Sequence, residues 1–391
     1  MADGRTQQRS IGGDPRARAV LYQALLAAAL VGLGYLAWTN AVANMEARGV
    51  PIGFGFWNDT AGFDINQKLI PFSPLSTYGR AFWVGLANTL LVGAVSIVLA
   101  TPLGFAVGLA RLAPNWLLSR LALVYVEIAR NTPLLLQLFF WYNAVLKTLP
   151  SPRQSLSVAG VAFLNNRGLY LPRLVYDEGA WLVGAALALA LLLSVGLAVA
   201  GRRRQAATGE RSHDLWPALA LIVGLPVVAY FAAHRPIGFE FAALKGFNFS
   251  GGTEIHLEFA ALTFGLVTYT AGFIAEIVRA GVMAVPRGQS EAAAALGLHR
   301  GLALRLVITP QALRLITPPL TSQYLNIVKN SSLAVFIGYP DLVLVFAGTV
   351  LNQTHAALQV MAVTMAVYLA ISLAVSFALN LFNARNALKE R

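Results

Sequence analysis

The chain contains no cysteine, which excludes disulfides, thiolate-ligated zinc and thiol nucleophiles. Charge is scarce as well: Lys, Arg, Asp and Glu make up 12% of the 391 residues, against about 25% in an ordinary soluble domain. The histidines (His213, His234, His256, His299 and His355) are scattered. None has the His-Glu-x-x-His spacing that places two imidazoles on one helix face, so no metal site is expected. His299 beside Arg300 reads as a surface residue. No serine triad is evident, and no Gly-x-x-x-x-Gly-Lys-Ser/Thr run is present to cradle a nucleotide phosphate. The chain is therefore not expected to be an enzyme or to bind a cofactor itself.

What remains is apolar sequence in long blocks. Hydrophobic residues make up 57% of the chain, with a mean hydropathy of +0.63. At ~1.5 Å per residue, about 20 apolar residues cross the hydrocarbon layer. Eight stretches qualify: residues 20–42, 81–110, 117–146, 180–200, 215–234, 255–283, 307–339 and 356–382. The expected fold class is an all-α polytopic membrane protein with about eight transmembrane helices. Pro310, Pro318 and Pro319 interrupt the seventh stretch and remove backbone donors there. Residues 43–80 and 148–179, rich in Gly, Pro and Asn with scattered aromatics such as Phe54, Phe56 and Trp57, read as ordered external loops resting near lipid headgroups.

The net charge of +12 has neither the long tract nor the aromatic interleaving of a nucleic-acid groove, so no nucleic-acid partner is expected. It reads as a topology signal, because cytoplasmic loops carry the excess of Lys and Arg. With the N-terminus inside, that side holds 16 basic residues, among them Arg5, Arg9, Arg16, Arg18, Arg111, Arg120, Arg202, Arg203, Arg204, Arg211, Arg385, Lys389 and Arg391. The opposite side holds nine, including Arg48, Lys68, Arg80, Lys147, Arg153, Arg167, Arg173, Arg235 and Lys245. An even number of spans then puts both termini in the cytoplasm. No small-residue cleavage site follows the first apolar run, so residues 20–42 are expected to be a retained anchor.

The loop after the sixth span runs Gly288-Gln289-Ser290-Glu291-Ala292-Ala293-Ala294-Ala295-Leu296-Gly297. Ser290 can accept a bond from a free backbone N–H, Glu291 suits the positive end of the dipole, the alanines propagate a helix, and Gly297 permits a left-handed stop. The alanines leave a flat face that a partner's cleft can approach closely, while Glu291 offers one directed charge. The plain alternative is an interfacial connector helix.

This stretch resembles the EAA loop of permease subunits of bacterial ATP-binding-cassette importers, which combines Glu-Ala-Ala, a Gly six positions after the Glu and a Pro thirteen after the Gly. Glu291, Gly297 and Pro310 fall at that spacing, with Thr309 where the family usually has Leu. Arg130-Asn131-Thr132-Pro133-Leu134-Leu135 resembles the Arg-x-Thr-Pro-Leu-Leu signature of the polar amino-acid branch, and Pro310-Gln311-Ala312-Leu313-Arg314 with Lys329-Asn330-Ser331-Ser332-Leu333 is a third match. The resemblance implies a five-helix permease core, here residues 81–147 and 255–383. The second part includes a cytoplasmic coupling loop, 284–306, in which Glu291, Ala292, Ala293 and Gly297 meet the ATPase. One N-terminal helix (20–42) and an inserted pair (180–234) with an Arg-rich cytoplasmic loop are added, between short cytoplasmic tails at 1–19 and 384–391. That layout is similar to the permeases of general L-amino-acid uptake systems.

The implied partners are ABC ATPase subunits that use the ATP, a second permease subunit (a copy or a related chain), a periplasmic amino-acid-binding protein and membrane lipid. The implied location is the bacterial inner membrane. The alternative is a secondary amino-acid transporter or channel working without an ATPase, although no whole-helix inverted repeat is visible. An intramembrane enzyme would need a catalytic constellation that the sequence lacks.

Two similar tetrads, Glu127 to Arg130 and Glu276 to Arg279, lie inside spans. Charges there are costly and face a partner or a watery cavity. Each Glu can pair with the Arg one turn later. Alternatively, Glu276 receives the α-ammonium of an amino acid in transit while Arg130, or Lys329 with Asn330, attracts its α-carboxylate.

Overall fold

In a computed structural model, residues 15–47, 49, 53–209 and 215–386 are described. The charges at Arg5, Arg9, Arg48, Arg211, Lys389 and Arg391 lie outside them. Six helices among the described residues are long and apolar enough to cross a membrane, and two shorter apolar helices, Leu134–Leu146 and Val343–Thr354, accompany them. The chain forms two compact units, one drawn from residues up to Leu112 and from Ile274 onward, the other Ala113–Phe273.

The first unit begins with α1 (Pro15–Ala47), exposed along nearly its whole described length. The expected external loop is packed down. A 3₁₀ turn (Gly55–Asn58) places Phe56 and Trp57 among Tyr78, Phe82 and Phe346 in an aromatic cluster, and Lys68 lies 2.8 Å from Asp64. That ammonium donates to the Asp64 carboxylate and holds it below the usual carboxylate range. α2 (Tyr78–Arg111) starts at Thr77, whose Oγ1 accepts from the Arg80 N–H, and it carries Pro102 in its interior.

The seventh predicted span ends earlier than expected. α10 (Thr309–Asn330) runs into a 3₁₀ turn, Ser331–Ile337, and left-handed Gly338 then reverses the chain. A π-helical stretch (Val343–Val350) leads through α11 (Leu351–Thr354) and left-handed His355 into α12 (Ala357–Asn386). The reversal is held by polar ties to its neighbours. Asn88 donates to the Gln67 and Pro340 carbonyls at 2.8 Å each, the Tyr339 hydroxyl to the Asn88 carbonyl at 3.0 Å, and the Tyr368 hydroxyl to Asp341 at 3.2 Å. Backbone groups freed by a turn inside an apolar layer need such partners.

In the second unit, the predicted span 117–146 is two pieces: α3 (Trp116–Asn131) and α4 (Leu134–Phe139), the latter continuing as a π-helix over Phe140–Leu146. The break is chemical. Pro133 has no N–H and forces Thr132 into an extended conformation, ψ 126°. The Gln137 amide then donates to the carbonyls of Ala129 and Thr132, both at 3.0 Å, which the break would otherwise leave bare. α5 (Ala180–Thr208) and α6 (Leu215–Ala232) form an antiparallel helical hairpin.

Short strands were not anticipated. β1 (Leu156–Val158), β2 (Ala162–Asn165), β3 (Gly168–Leu171) and β8 (Thr253–His256) form an antiparallel sheet in that order. β4 (Arg173–Tyr176) pairs with β5 (Ile237–Glu240), and β6 (Ala243–Lys245) with β7 (Asn248–Ser250). Burial, with Glu254 accepting its hydrogen bond, pushes the Tyr170 hydroxyl up to about 12. β8 passes directly into α7 (Leu257–Met283).

Candidate functional site

After α7, residues 284–286 lead into α8 (Arg287–Ala295), with α9 (Arg300–Ala303) and a π-helical turn (Leu304–Ile308) before α10. Pro286 precedes the first helical residue, so α8 starts three residues before the expected Ser290 cap. Ser290 is exposed inside the helix, where its hydroxyl is not needed as a cap. The stop is as the sequence indicates. Gly297 has φ +73°, its N–H donates to the Ala294 carbonyl, and Leu298 N–H donates to the Ala293 carbonyl at 3.0 Å. That pair of bonds is the Schellman closure, which satisfies carbonyls at the helix end and favours glycine at the left-handed position.

The faces of α8 divide differently from the reading of a uniformly flat alanine surface. Ala293 is 2% exposed, packed inward on the side where Gln311 donates to Gln289 at 3.1 Å. Glu291, Ala292 and Gly297 are exposed, and Leu296 is 80% exposed. The outward surface is therefore a carboxylate, small residues and one large aliphatic side chain, and Ala293 is part of the chain's own packing. Leu296 was missed because a leucine at the end of an alanine run carries no local signal of which way it points.

The intramembrane charges also sort differently. Glu276 accepts from both Arg279, whose Nη2 is 2.5 Å away, and Arg111 at the end of α2. Its carboxylate is thus occupied by two guanidiniums. Gly108 allows the approach of α2: a Cβ there would come within 2.7 Å of the Ala275 carbonyl. The parallel tetrad does not form its expected pair. Glu127 instead accepts from Asn131 at 2.8 Å, while the Arg130 guanidinium lies 5.3 Å from the centre of the Phe273 ring. Glu127 and Arg130 are both exposed at the surface of their unit.

Lys329 and Asn330 end α10, Lys329 exposed and Asn330 half-buried, with buried Ser331 turning its hydroxyl onto the Val328 carbonyl at 2.8 Å. Pro310 is the second residue of α10, immediately after the π-helical turn. Arg130, Thr132 and Pro133 belong to the broken helix of the second unit. That break borders an apolar cavity of about 630 Å³ lined by Tyr125, Thr132, Gln137 and Trp141 among others. Among the described residues, no group of His, Asp and Glu side chains is placed to hold a metal ion.

Membrane-length helices, among them a broken one, with a capped α8 between α7 and α10, mark an integral membrane protein. The chain belongs to the family described as binding-protein-dependent transport system inner membrane component, which matches residues 100–387. It is 52% identical over 97% of its length, and 96% of the relative's, to a putative amino-acid ABC transporter permease protein of Escherichia coli strain K12. It is 48% identical to the general L-amino acid transport system permease protein AapQ of Rhizobium johnstonii, covering 98% of this chain and 96% of that one. A glutamate/glutamine/aspartate/asparagine transport system permease protein of Rhodobacter capsulatus is 41% identical, over 97% and 96% of the two chains. Family membership decides against a self-sufficient secondary transporter or channel.

Proposed function

We propose that this chain is the membrane-spanning permease subunit of an ATP-driven amino-acid importer in the bacterial inner membrane, with α8 as its contact to a separate ATPase. The observation that carries the coupling role is the division of α8: Ala293 is locked inside, the end is closed at Gly297, and Glu291, Ala292 and Leu296 are left facing out. A rigid nine-residue helix with one large exposed apolar side chain matches the anchor-in-pocket pattern of energetically dominant contacts. ATP is then bound and hydrolysed by the ATPase, a periplasmic binding protein delivers the amino acid, and a second permease subunit completes the path. Both termini lie in the cytoplasm. Broad L-amino-acid specificity is supported by the names of the relatives over nearly the full chain.

For the substrate path, Lys329, Asn330 and Arg130 are the groups available to attract an α-carboxylate. Glu276, committed to Arg111 and Arg279, is better suited to bracing α7 against α2 than to receiving an ammonium group.

The coupling role is tested with Leu296→Asp. The exposed position tolerates the charge in the folded chain, so thermal stability should be unchanged, while co-purification of the ATPase and amino-acid uptake should both fall at least tenfold. Normal uptake with normal co-purification would remove Leu296 from the coupling contact.

A further inference from the structure

The β4–β5 ribbon has two chemically opposite faces. The register pairs Arg173 with Glu240, Leu174 with Phe239, Val175 with Gly238 and Tyr176 with Ile237. Because side chains alternate along a strand, Arg173, Val175, Gly238 and Glu240 share one face, and Leu174, Tyr176, Ile237 and Phe239 the other. The first face carries an exposed ion pair, with Arg173 Nη2 2.6 Å from Glu240, beside half-buried Val175 and Gly238. On the second, Leu174 is 45%, Tyr176 65% and Phe239 63% exposed, and neighbouring Phe241 is 50% exposed. Among the described residues of its own unit, Ile237 is half-buried and the other three side chains of this face are left exposed.

The ribbon's position says what does. Its strands lead through short joints into α5 and out of α6, helices with little protein around them: only Ala190, Ser194 and Gly201 of α5 are buried, and none of α6. Two apolar membrane-length helices that pack on each other and on little else have lipid as their surroundings. The joints are sharp: Gly179 has φ +96° on one side, and His234 and Arg235 have φ +57° and +60° on the other. Two consecutive non-glycine residues in the left-handed region mark a geometry imposed by the surrounding structure. The remaining features at this end have the composition of a membrane boundary. Trp181 is 72% exposed, and Arg235 lies 5.6 Å from the Phe231 ring centre. Aromatic rings with a polar tip, together with guanidiniums, concentrate at headgroup depth. A two-stranded ribbon also has unpaired edges, which water must satisfy, so it cannot enter the hydrocarbon but can rest on it.

We propose that the Leu174–Tyr176–Phe239–Phe241 face is an interfacial lipid anchor, lying on the headgroup layer at the outer end of the α5–α6 hairpin with the Arg173–Glu240 face turned to water. The partner is phospholipid, and the anchor holds whichever side of the membrane that end faces.

The absence of native cysteine allows a direct test. Single cysteines replacing Phe239 or Leu174 on one face and Val175 on the other are labelled with an environment-sensitive nitrobenzoxadiazole dye. The full-length protein is reconstituted in phosphatidylethanolamine/phosphatidylglycerol vesicles, with or without lipid carrying a shallow nitroxide. Dye at 239 and 174 should lose at least half its emission to the nitroxide lipid and little to aqueous iodide, and dye at 175 should show the reverse. Iodide quenching without nitroxide quenching at 239 and 174 would place the face in water and overturn the anchor. Protection from both quenchers at these positions would show a protein partner covering the face, which also overturns it. Because α8 takes no part, loss of the coupling role by Leu296→Asp analysis leaves this outcome unaffected.

Discussion

At the scale of single residues, Glu276 is held at a junction of two helices by two arginines. Replacing it with Gln leaves Arg111 and Arg279 facing a neutral amide. The expected loss is about 1–3 kcal/mol of stability, the usual cost of depriving partly buried polar groups of a charged partner, read as a lowered unfolding temperature of the purified protein. Glu276→Gln/Arg279→Gln should restore only part of that loss, because Arg111 is still left without its carboxylate; removing Arg111 as well should restore most of it. Full rescue by the double change would show that Arg111 contributes nothing. The Glu276–Arg279 contact was legible in the sequence because it is local, one helical turn. The Arg111 contact was not, since 165 positions separate the pair and only the close approach at Gly108 brings α2 near. Gln137 was likewise hidden: its value lies in two carbonyls bared by Pro133, and a glutamine in an apolar run has no pattern that announces this.

At the scale of elements, α8 separates folding from docking. Ala293→Asp places a carboxylate in the chain's own packing at several kcal/mol, so it should lower expression and thermal stability together with uptake. Gly297→Val forces a β-branched residue to φ +73°, at a cost of about 1–2 kcal/mol or more, and should fray the helix end while leaving Leu296 exposed. Comparing unfolding temperatures of the two variants with that of Leu296→Asp checks the division: unchanged stability in Ala293→Asp would contradict the inward packing. The long helices and the end of α8 were readable from apolar runs, the alanine stretch and one glycine. The start of α8 was misread because Ser290 is a good cap residue in a place where Pro286 already sets the boundary. The strands were unreadable for another reason. They are three or four residues long, too short for alternation to register, and β3–β8 and β4–β5 pair only after the intervening helices return the chain.

At the scale of the whole molecule, the proposed orientation predicts opposite chemistry at two exposed positions, Gln205 near the α5 end and Asn166 in the β2–β3 turn. In intact cells, a cysteine replacing Asn166 should react with an impermeant thiol reagent, and one replacing Gln205 should be protected until the membrane is opened. External labelling at 205 would invert the topology.

The pairing of β4 with β5 has a consequence for how this chain could have been assembled. The Asp177 N–H donates to the Pro236 carbonyl at 2.8 Å, so the polypeptide enters and leaves the α5–α6 hairpin through a single doorway. Everything from Glu178 to Arg235 is in this sense a cassette. Excising it, replacing Pro236 by a residue that has a backbone N–H, and joining Asp177 to that position through Asn-Gly, a pair suited to tight turns between antiparallel strands, would convert the ribbon into an ordinary β-hairpin. Two crossings are removed together, so the remaining helices keep their direction. The shortened chain should still insert, fold and retain uptake, measured in cells against the full-length protein, and the hairpin is then an accessory that the transport core can lose in one step.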